Sequence, residues 1–226
     1  MRKTILTIVL AVLAFGSLSA QAAQTGSIFG WGKLVVCGDT SAGFIAIAAG
    51  GWYSLGLKDD GSIVAWGDNG AGQCDVPAPN SSFVAIAAGH SHSLGLKDDG
   101  TACAWGSNYW GQCNVPAANS DFIAIAGGEA HSLGLKVDGS VVAWGNNYYG
   151  QCGIGAPNSG FVAISAGATH SLGLKDDGSV AAWGWNNYGQ CDVPAPNSNF
   201  IDIGAGSRSL SGNIGVGGSK IKLQKQ

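Results

Sequence analysis

Histidines, cysteines and carboxylates are the side chains here that could ligate a metal or move a proton, and they recur at a fixed interval. His92, His131 and His170 lie 39 residues apart, with Tyr53 at the same place one interval earlier. Three histidines suggest zinc. Positions one repeat apart, however, are spread over successive structural units rather than gathered in one pocket. The expectation is a structural hydrogen bond from each imidazole to a backbone carbonyl, a role that tyrosine can also fill. Cys74, Cys113, Cys152 and Cys191 keep the same interval, and Cys37 fits it through a shorter first connection. They form no C-x-x-C pair. A disulfide needs Cα atoms within about 7 Å, and equivalent points on stacked sheets lie roughly 10 Å apart. These cysteines are expected to be small buried hydrophobes that pin a returning segment. Cys103 shares a strand position with Val64, Val142 and Ala181 and reads as core. The Asp59-Asp60 type pairs could bind calcium, but a β-turn explains them with fewer assumptions. Glu129 is the one glutamate. No Ser/His/Asp, Cys/His or paired-carboxylate set stands outside the repeat. No catalytic residue, metal or cofactor is therefore expected.

The elements that position these residues are repeated too. Trp66, Trp105, Trp144 and Trp183 are 39 apart, as are Phe83, Phe122, Phe161 and Phe200. One unit reads "FVAIAAGHSHSLGLKDDGTACAWGSNYWGQCNVPAANSD". "FVAIAAG" alternates larger and smaller apolar residues, as a sandwiched strand would. "HSLGLK" and "TACAWG" are two further strands, and "KDDG" between them is a hairpin turn, expected as type I′ from its Asp-Gly. The Pro-containing "VPAPNS" segment cannot be a central strand. Glycine is abundant, at 38 residues, and no unit shows a helical period. A unit this small must stack on its neighbours to bury both faces. The expected fold is all-β: a β-propeller of about 39-residue, three-stranded antiparallel blades. A β-solenoid is the rival. The repeated Trp and Phe are expected between blades, and the glycines of "SLGL" and "AWG" where sheets approach closely.

The ends bear on closure. "SIFGWG", residues 27–32, matches a third strand, and "FIDIGAGSRSLSG", residues 200–212, matches strands one and two. Joined, they give one split blade after four intact ones, five in all, which would remove exposed edges. The alternative is an open arc of a truncated propeller. Residues 1–22 read as a secretory signal peptide: Arg2 and Lys3, an apolar run from Ile5 to Leu13, then Ala20-Gln21-Ala22. The repeat domain spans 26–214, and 215–226 is a tail outside the repeat. No later apolar run approaches a membrane span, so no membrane insertion of the mature chain is expected. The chain has 11 basic residues, two of them in the leader, against 14 acidic ones. Outside the lysines of the tail there is no basic cluster, so nucleic acid is a poor partner. The expected location is secreted or periplasmic.

"AAGHSHSLGLKDDGTACAWGSNYWGQC" resembles the regulator-of-chromosome-condensation repeat, through its Gly-x-x-His-Ser-Leu, Asp-Gly, Trp-Gly and Gly-Gln elements. The "GQC-x-VPAPN" return is closer to the secreted bacterial branch of that family, which includes β-lactamase inhibitory proteins. The resemblance covers roughly residues 26–214. It implies a β-propeller, with three-stranded blades in the inhibitor branch, and usually seven of them. It leaves function open, because the family holds an exchange factor, enzyme inhibitors and surface modules.

Function must then come from what varies between units. If strand one runs upward, the loop after it and the loop after Trp-Gly both lie on top, and the Asp-Gly hairpin lies below. The hairpins barely change, whereas the two upper loops differ in every unit. Trp52, His90, Tyr109, Trp110, Tyr148, Tyr149, Trp185 and Tyr188 stand there among Asn, Ser and Gly. Rigid aromatics among small polar residues make a recognition surface. The expected function is non-catalytic binding of a protein or glycan through this face. Narrower or rival possibilities are inhibition of an extracytoplasmic enzyme such as a β-lactamase, a polysaccharide lyase or hydrolase, and a structural surface repeat with no ligand.

Overall fold

The computed structural model describes residues 43–206, and within them every repeat folds alike. The first unit has β1 (Phe44–Ala49), β2 (Tyr53–Lys58) and β3 (Ile63–Gly67). The second has β4 (Phe83–Ala88), β5 (His92–Lys97) and β6 (Ala102–Gly106). The third has β7 (Phe122–Gly127), β8 (His131–Lys136) and β9 (Val141–Gly145). The fourth has β10 (Phe161–Ala166), β11 (His170–Lys175) and β12 (Val180–Gly184). Each trio forms its own antiparallel sheet in sequence order. Strand two of each sheet packs on strand one of the next. These are the blades of a propeller. The split fifth blade rests partly on residues 27–32 and 207–212, outside the described residues. Of it, residues 200–206 form no strand, yet they follow the course of the earlier first strands: Phe200 N donates to Gly178 O at 2.9 Å, and Ala205 N to Ser165 Oγ at 2.9 Å. The leader and the tail also lie outside the described residues.

Two local expectations are corrected. The hairpin is not type I′. Gly61 N donates to Lys58 O at 3.0 Å and Lys58 N to Ser62 O at 2.8 Å, and of the turn residues Gly61 takes the positive φ, at 77°. This is a three-residue turn with a glycine bulge, so Asp60 avoids the left-handed region that a type I′ turn would demand. Nor does strand one simply alternate. Its second residue is extruded in a bulge between Phe83 and Ala85, and Val84 is 53% exposed there. Phe83 stays buried and Ile86 packs in the seam between blades. Gly95 leaves room for the Phe83 ring, which would meet a Cβ at 2.6 Å.

Each seam carries buried polar groups, and the repeat satisfies them across it. Gln73 O accepts from Ser93 Oγ at 2.7 Å and from Trp105 Nε1 at 2.9 Å, both on the next blade. Gln112 O does the same for Ser132 at 2.9 Å and Trp144 at 2.8 Å, and Gln151 O for Ser171 and Trp183, each at 2.9 Å. The histidines complete this clamp. His92 Nε2 lies 3.0 Å from Ser132 Oγ, and His131 Nε2 3.0 Å from Ser171 Oγ. The partner is thus a serine hydroxyl of the following blade rather than the backbone carbonyl expected. Since each serine donates to a glutamine carbonyl, it accepts from Nε2–H, which sets the neutral tautomer. Tyr53 fills the equivalent slot differently: its hydroxyl donates to the backbone carbonyl of His92, the kind of partner expected, and lies 3.1 Å from Ser93 Oγ. Nδ1 of His92 and of His131 is buried and has no hydrogen-bond partner.

Burial pushes the imidazoles of His92 and His131 down to about 4, with the neighbouring histidines adding to the effect at His131, and it lowers His170 as well. A folded value below the unfolded one means that the unfolded chain binds more protons in between. Stability is therefore lost as pH falls from about 6.5 towards 4, by roughly 3 kcal/mol for each fully buried ring. Two outcomes are expected. In urea unfolding followed by tryptophan fluorescence, stability falls more steeply between pH 7 and 4.5 in the wild type than in a His92→Tyr plus His131→Tyr variant, which copies Tyr53. Equal slopes would refute the seam histidines as the source. Separately, Gly134→Ala costs about 1–3 kcal/mol by overpacking, because its Cβ would sit 2.4 Å from the Phe122 ring. Gly155→Ala, with nothing within 4 Å, changes stability by less than about 0.5 kcal/mol.

Candidate binding face

The two variable loops of each unit meet on one face, as strand direction requires. Asp68 N donates to Trp52 O, Ser107 N to Ser91 O, Asn146 N to Ala130 O and Trp185 N to Thr169 O, each at 2.9 Å. The hairpins lie at the opposite end, where Phe83 N donates to Gly61 O and Asp98 N to Ser82 O, each at 3.0 Å. On the upper face the loops following strand one approach the axis. Gly51 N donates to His90 O at 3.0 Å, His90 N to Gly128 O at 3.2 Å and Glu129 N to Ala168 O at 3.3 Å. Around the axis they line an open-mouthed cavity of about 220 Å³, whose lining includes His90 and Glu129 among glycines and alanines.

The outer loops share one backbone built by constant side chains. Asn69 Oδ1 accepts from Cys74 N at 2.8 Å, and Asn108, Asn147 and Asn186 repeat this at 2.8–2.9 Å. Gln73 Oε1 accepts from Ala71 N at 2.9 Å, and Gln112, Gln151 and Gln190 do the same for Trp110, Tyr149 and Tyr188. The Asn at the second loop position is therefore scaffold, although the sequence pattern places it among the specificity positions. The thiols belong to the same scaffold. Cys74, Cys113 and Cys152 Sγ donate to the carbonyls of Asp68, Ser107 and Asn146 at 3.2–3.3 Å, and Cys191 Sγ to Trp185 O at 3.5 Å. Cys103, Cys113, Cys152 and Cys191 are free thiols, half-buried rather than fully so. Burial pushes the Cys113 and Cys152 thiols up to about 11, which makes them poor nucleophiles. Cys37 lies outside the described residues.

With the backbone held, side chains at the remaining loop positions project outward. Tyr109 is 85% exposed, Tyr148 79%, Trp52 77% and Tyr188 74%; Trp110 and Tyr149 are about half exposed, and His90 is exposed. The structure brings some of these together. Tyr148 meets Tyr149 edge-on at 4.9 Å, Tyr149 lies 5.7 Å from Trp185 across the seam between blades three and four, and Trp185 meets Tyr188 edge-on at 5.1 Å. Tyr109 and Trp110 form a second pair on blade two, edge-on at 5.1 Å. Trp52 and His90 belong to the inner loops instead.

The remaining candidates are structural. Asp60 Oδ1 accepts from Ser62 N at 2.9 Å and from Ser62 Oγ at 2.6 Å; these bonds hold its carboxyl below the usual range, as the equivalent bonds do for Asp99, Asp138 and Asp177. Among the described residues no three of His, Cys, Asp and Glu gather at metal-binding distance. A function of Asn80 was not foreseen: its Oδ1 accepts from Ile63 N at 2.7 Å and its Nδ2 donates to Ile63 O at 2.8 Å, which covers the open edge of β3. Asn119, Asn158 and Asn197 do this for the other blades. Its constancy in "VPAPN" and "VPAAN" was the available signal.

Among solved structures the chain is similar to three propellers from eukaryotes. Prp20p of Saccharomyces cerevisiae, described with its binding to Gsp1p and histones, matches with a TM-score of 0.61 at 20% identity, over 73% of this chain and 54% of that one. The ectodomain of the receptor kinase CR4 of Physcomitrella patens matches at 0.61 and 24%, over 72% and 47%. Human WBSCR16 matches at 0.59 and 19%, over 73% and 56%. At these identities the likeness is one of fold, and the chain spans about half the length of each neighbour. No curated protein matches the chain. The family model of the regulator of chromosome condensation (RCC1) repeat matches residues 44–73, 83–112, 122–151 and 161–190, one copy for each blade described above. With more than half its length in those four copies, each holding the serine, tryptophan and glutamine that form the clamp at the three described seams, the chain belongs to the RCC1 repeat family.

Proposed function

We propose that this chain is a non-catalytic binding module, and that a partner protein docks on the aromatic side of its upper face. The observation that carries this is the row Tyr148, Tyr149, Trp185 and Tyr188, which runs unbroken across a seam with Tyr148 and Tyr188 largely exposed. Large rings on fixed loops bury area at little entropic cost, which is how binding hot spots are built. Protein binding by Prp20p, a propeller of the same family, agrees with this role. A glycan could stack on the same rings, and inhibition of an extracytoplasmic enzyme would be one form of protein binding. The pattern of residues 1–22, a basic start, an apolar run and Ala20-Gln21-Ala22, is that of a secretory leader and supports a secreted or periplasmic location.

Substitution separates binding from folding here. A Trp110→Ala plus Tyr149→Ala variant is expected to capture partners from periplasmic and surface extracts at least tenfold less well than the wild type. Its stability should change by less than about 1 kcal/mol, because both side chains are half exposed. Equal capture by the two proteins would remove the face assignment. Retention on a glycan array, lost in the same variant, would replace a protein ligand by a carbohydrate one. Trp52→Ala, outside the aromatic row, should alter capture less than twofold.

A further inference from the structure

The two faces differ in their lysines: the hairpin end mixes lysines with the aspartates of its turns, whereas the upper face carries carboxylates alone. The described residues contain four lysines and no arginine. Lys58, Lys97, Lys136 and Lys175 all close second strands at the hairpin end, each 5.1–5.7 Å from the centroid of its own blade's Phe ring. The upper face carries Asp68, Asp75, Glu129 and Asp192, with no lysine or arginine beside them. Glu129 is the chain's one glutamate and stands where the other blades have Gly51, His90 and Ala168. The scaffold therefore does not require a carboxylate there. It lines the axial cavity. Its backbone is tied to Ala168, and the next residue, Thr169, accepts the backbone N–H of Trp185. Backbone hydrogen bonds thus link the Glu129 loop, through Ala168 and Thr169, to the aromatic row. The faces of tyrosine and tryptophan rings are themselves electron-rich and attract cations.

We propose that the upper face takes a cationic segment of a partner protein, with one lysine or arginine side chain seated in the axial cavity beside Glu129 and the adjoining chain laid over the aromatic row. This rests on the binding face described above and adds the ligand's charge. An anionic ligand would meet carboxylates with no counter-charge, whereas a neutral one would leave the Glu129 charge unpaired.

The test uses the full chain and Gly-Ser decapeptides bearing two lysines, two arginines, two norleucines or two glutamates, with binding read by fluorescence anisotropy. The lysine and arginine peptides should bind at least tenfold more tightly than the norleucine peptide, and the glutamate peptide should not bind. Glu129→Gln should cost fivefold or more while leaving the melting temperature unchanged. Equal binding of the norleucine peptide, or indifference to Glu129→Gln, overturns the proposal. A tenfold gain on deleting residues 215–226, which carry Lys220, Lys222 and Lys225, would make that segment the occupant and also overturn it. If the cationic peptides fail while partner capture still depends on Trp110 and Tyr149, the charge assignment falls and the aromatic face stands. If capture is independent of them too, both fall.

Discussion

One backbone carbonyl per blade governs the rest of this molecule. The carbonyl of Gln73, Gln112 or Gln151 is buried at a seam and receives two donors, a serine hydroxyl and a tryptophan ring N–H, from the following blade. An orphaned buried donor or acceptor costs roughly 1–3 kcal/mol, so three polar groups must meet at one point or all are penalised. That requirement sets the angle of each blade on its neighbour. It also requires the loop after Trp-Gly to return over the top of the sheet at one fixed height. The Gln side chain and the second loop Asn hold that path from within the loop, through Ala71 N and Cys74 N in the first blade. The clamp and the loop are thus one structure, and losing either leaves the other's polar groups unsatisfied.

Because backbone hydrogen bonds and two constant side chains fix the loop, its other positions are released from structural duty. Ala71, Trp110, Tyr149 and Tyr188 all present the same N–H to a Gln Oε1, whatever side chain they carry. An alanine and a tryptophan are equally acceptable to the scaffold, and the difference between them faces solvent. The opposite holds at His92 and Tyr53. Both fill a buried slot against the next blade, where His92 reaches a serine hydroxyl and Tyr53 reaches the His92 carbonyl, so a side chain there needs a polar tip at that depth. Variation is cheap on the upper rim and constrained a few ångströms below it.

The sequence shows the first kind of fact well and the second poorly. The 39-residue period, the three strands and the sharing of one face by both variable loops could be read directly. Each follows from apolar pattern and strand direction. The histidine acceptor, the turn type and the bulge at Val84 could not, because each depends on geometry that several local solutions satisfy. Asn80 and Asn69 were hidden for a different reason. Asparagine next to proline or glycine already suggests a turn, so apart from its constancy from unit to unit nothing distinguishes a side chain that bonds to a distant strand edge from one that merely permits a bend. Seven of the eight candidate binding residues lie exposed or half-exposed on one side, and Trp185 is more deeply buried between Tyr149 and Tyr188. Their division into an outer row, a separate pair and two inner residues emerged only in three dimensions.

That division shows how a nearly perfect repeat can build a site that occurs once. Contact across a seam pairs the fourth loop position of one blade with the first position of the next. At the seam between blades three and four these are Tyr149 and Trp185, and the rings meet. At the preceding seam the same positions hold Trp110 and Asn146, and at the one before that Ala71 and Ser107, so no ring pair can form at either. Glu129 is the simpler case on the inner loops, where one substitution in four is enough to give the axis its carboxylate. In the outer register a single change makes no ring pair across a seam until its neighbour there also changes. Two coincident departures from the repeat are therefore the smallest step that joins the outer loops of two blades. Blades three and four carry such a pair at their outer loops, with Glu129 on the inner side of the same seam.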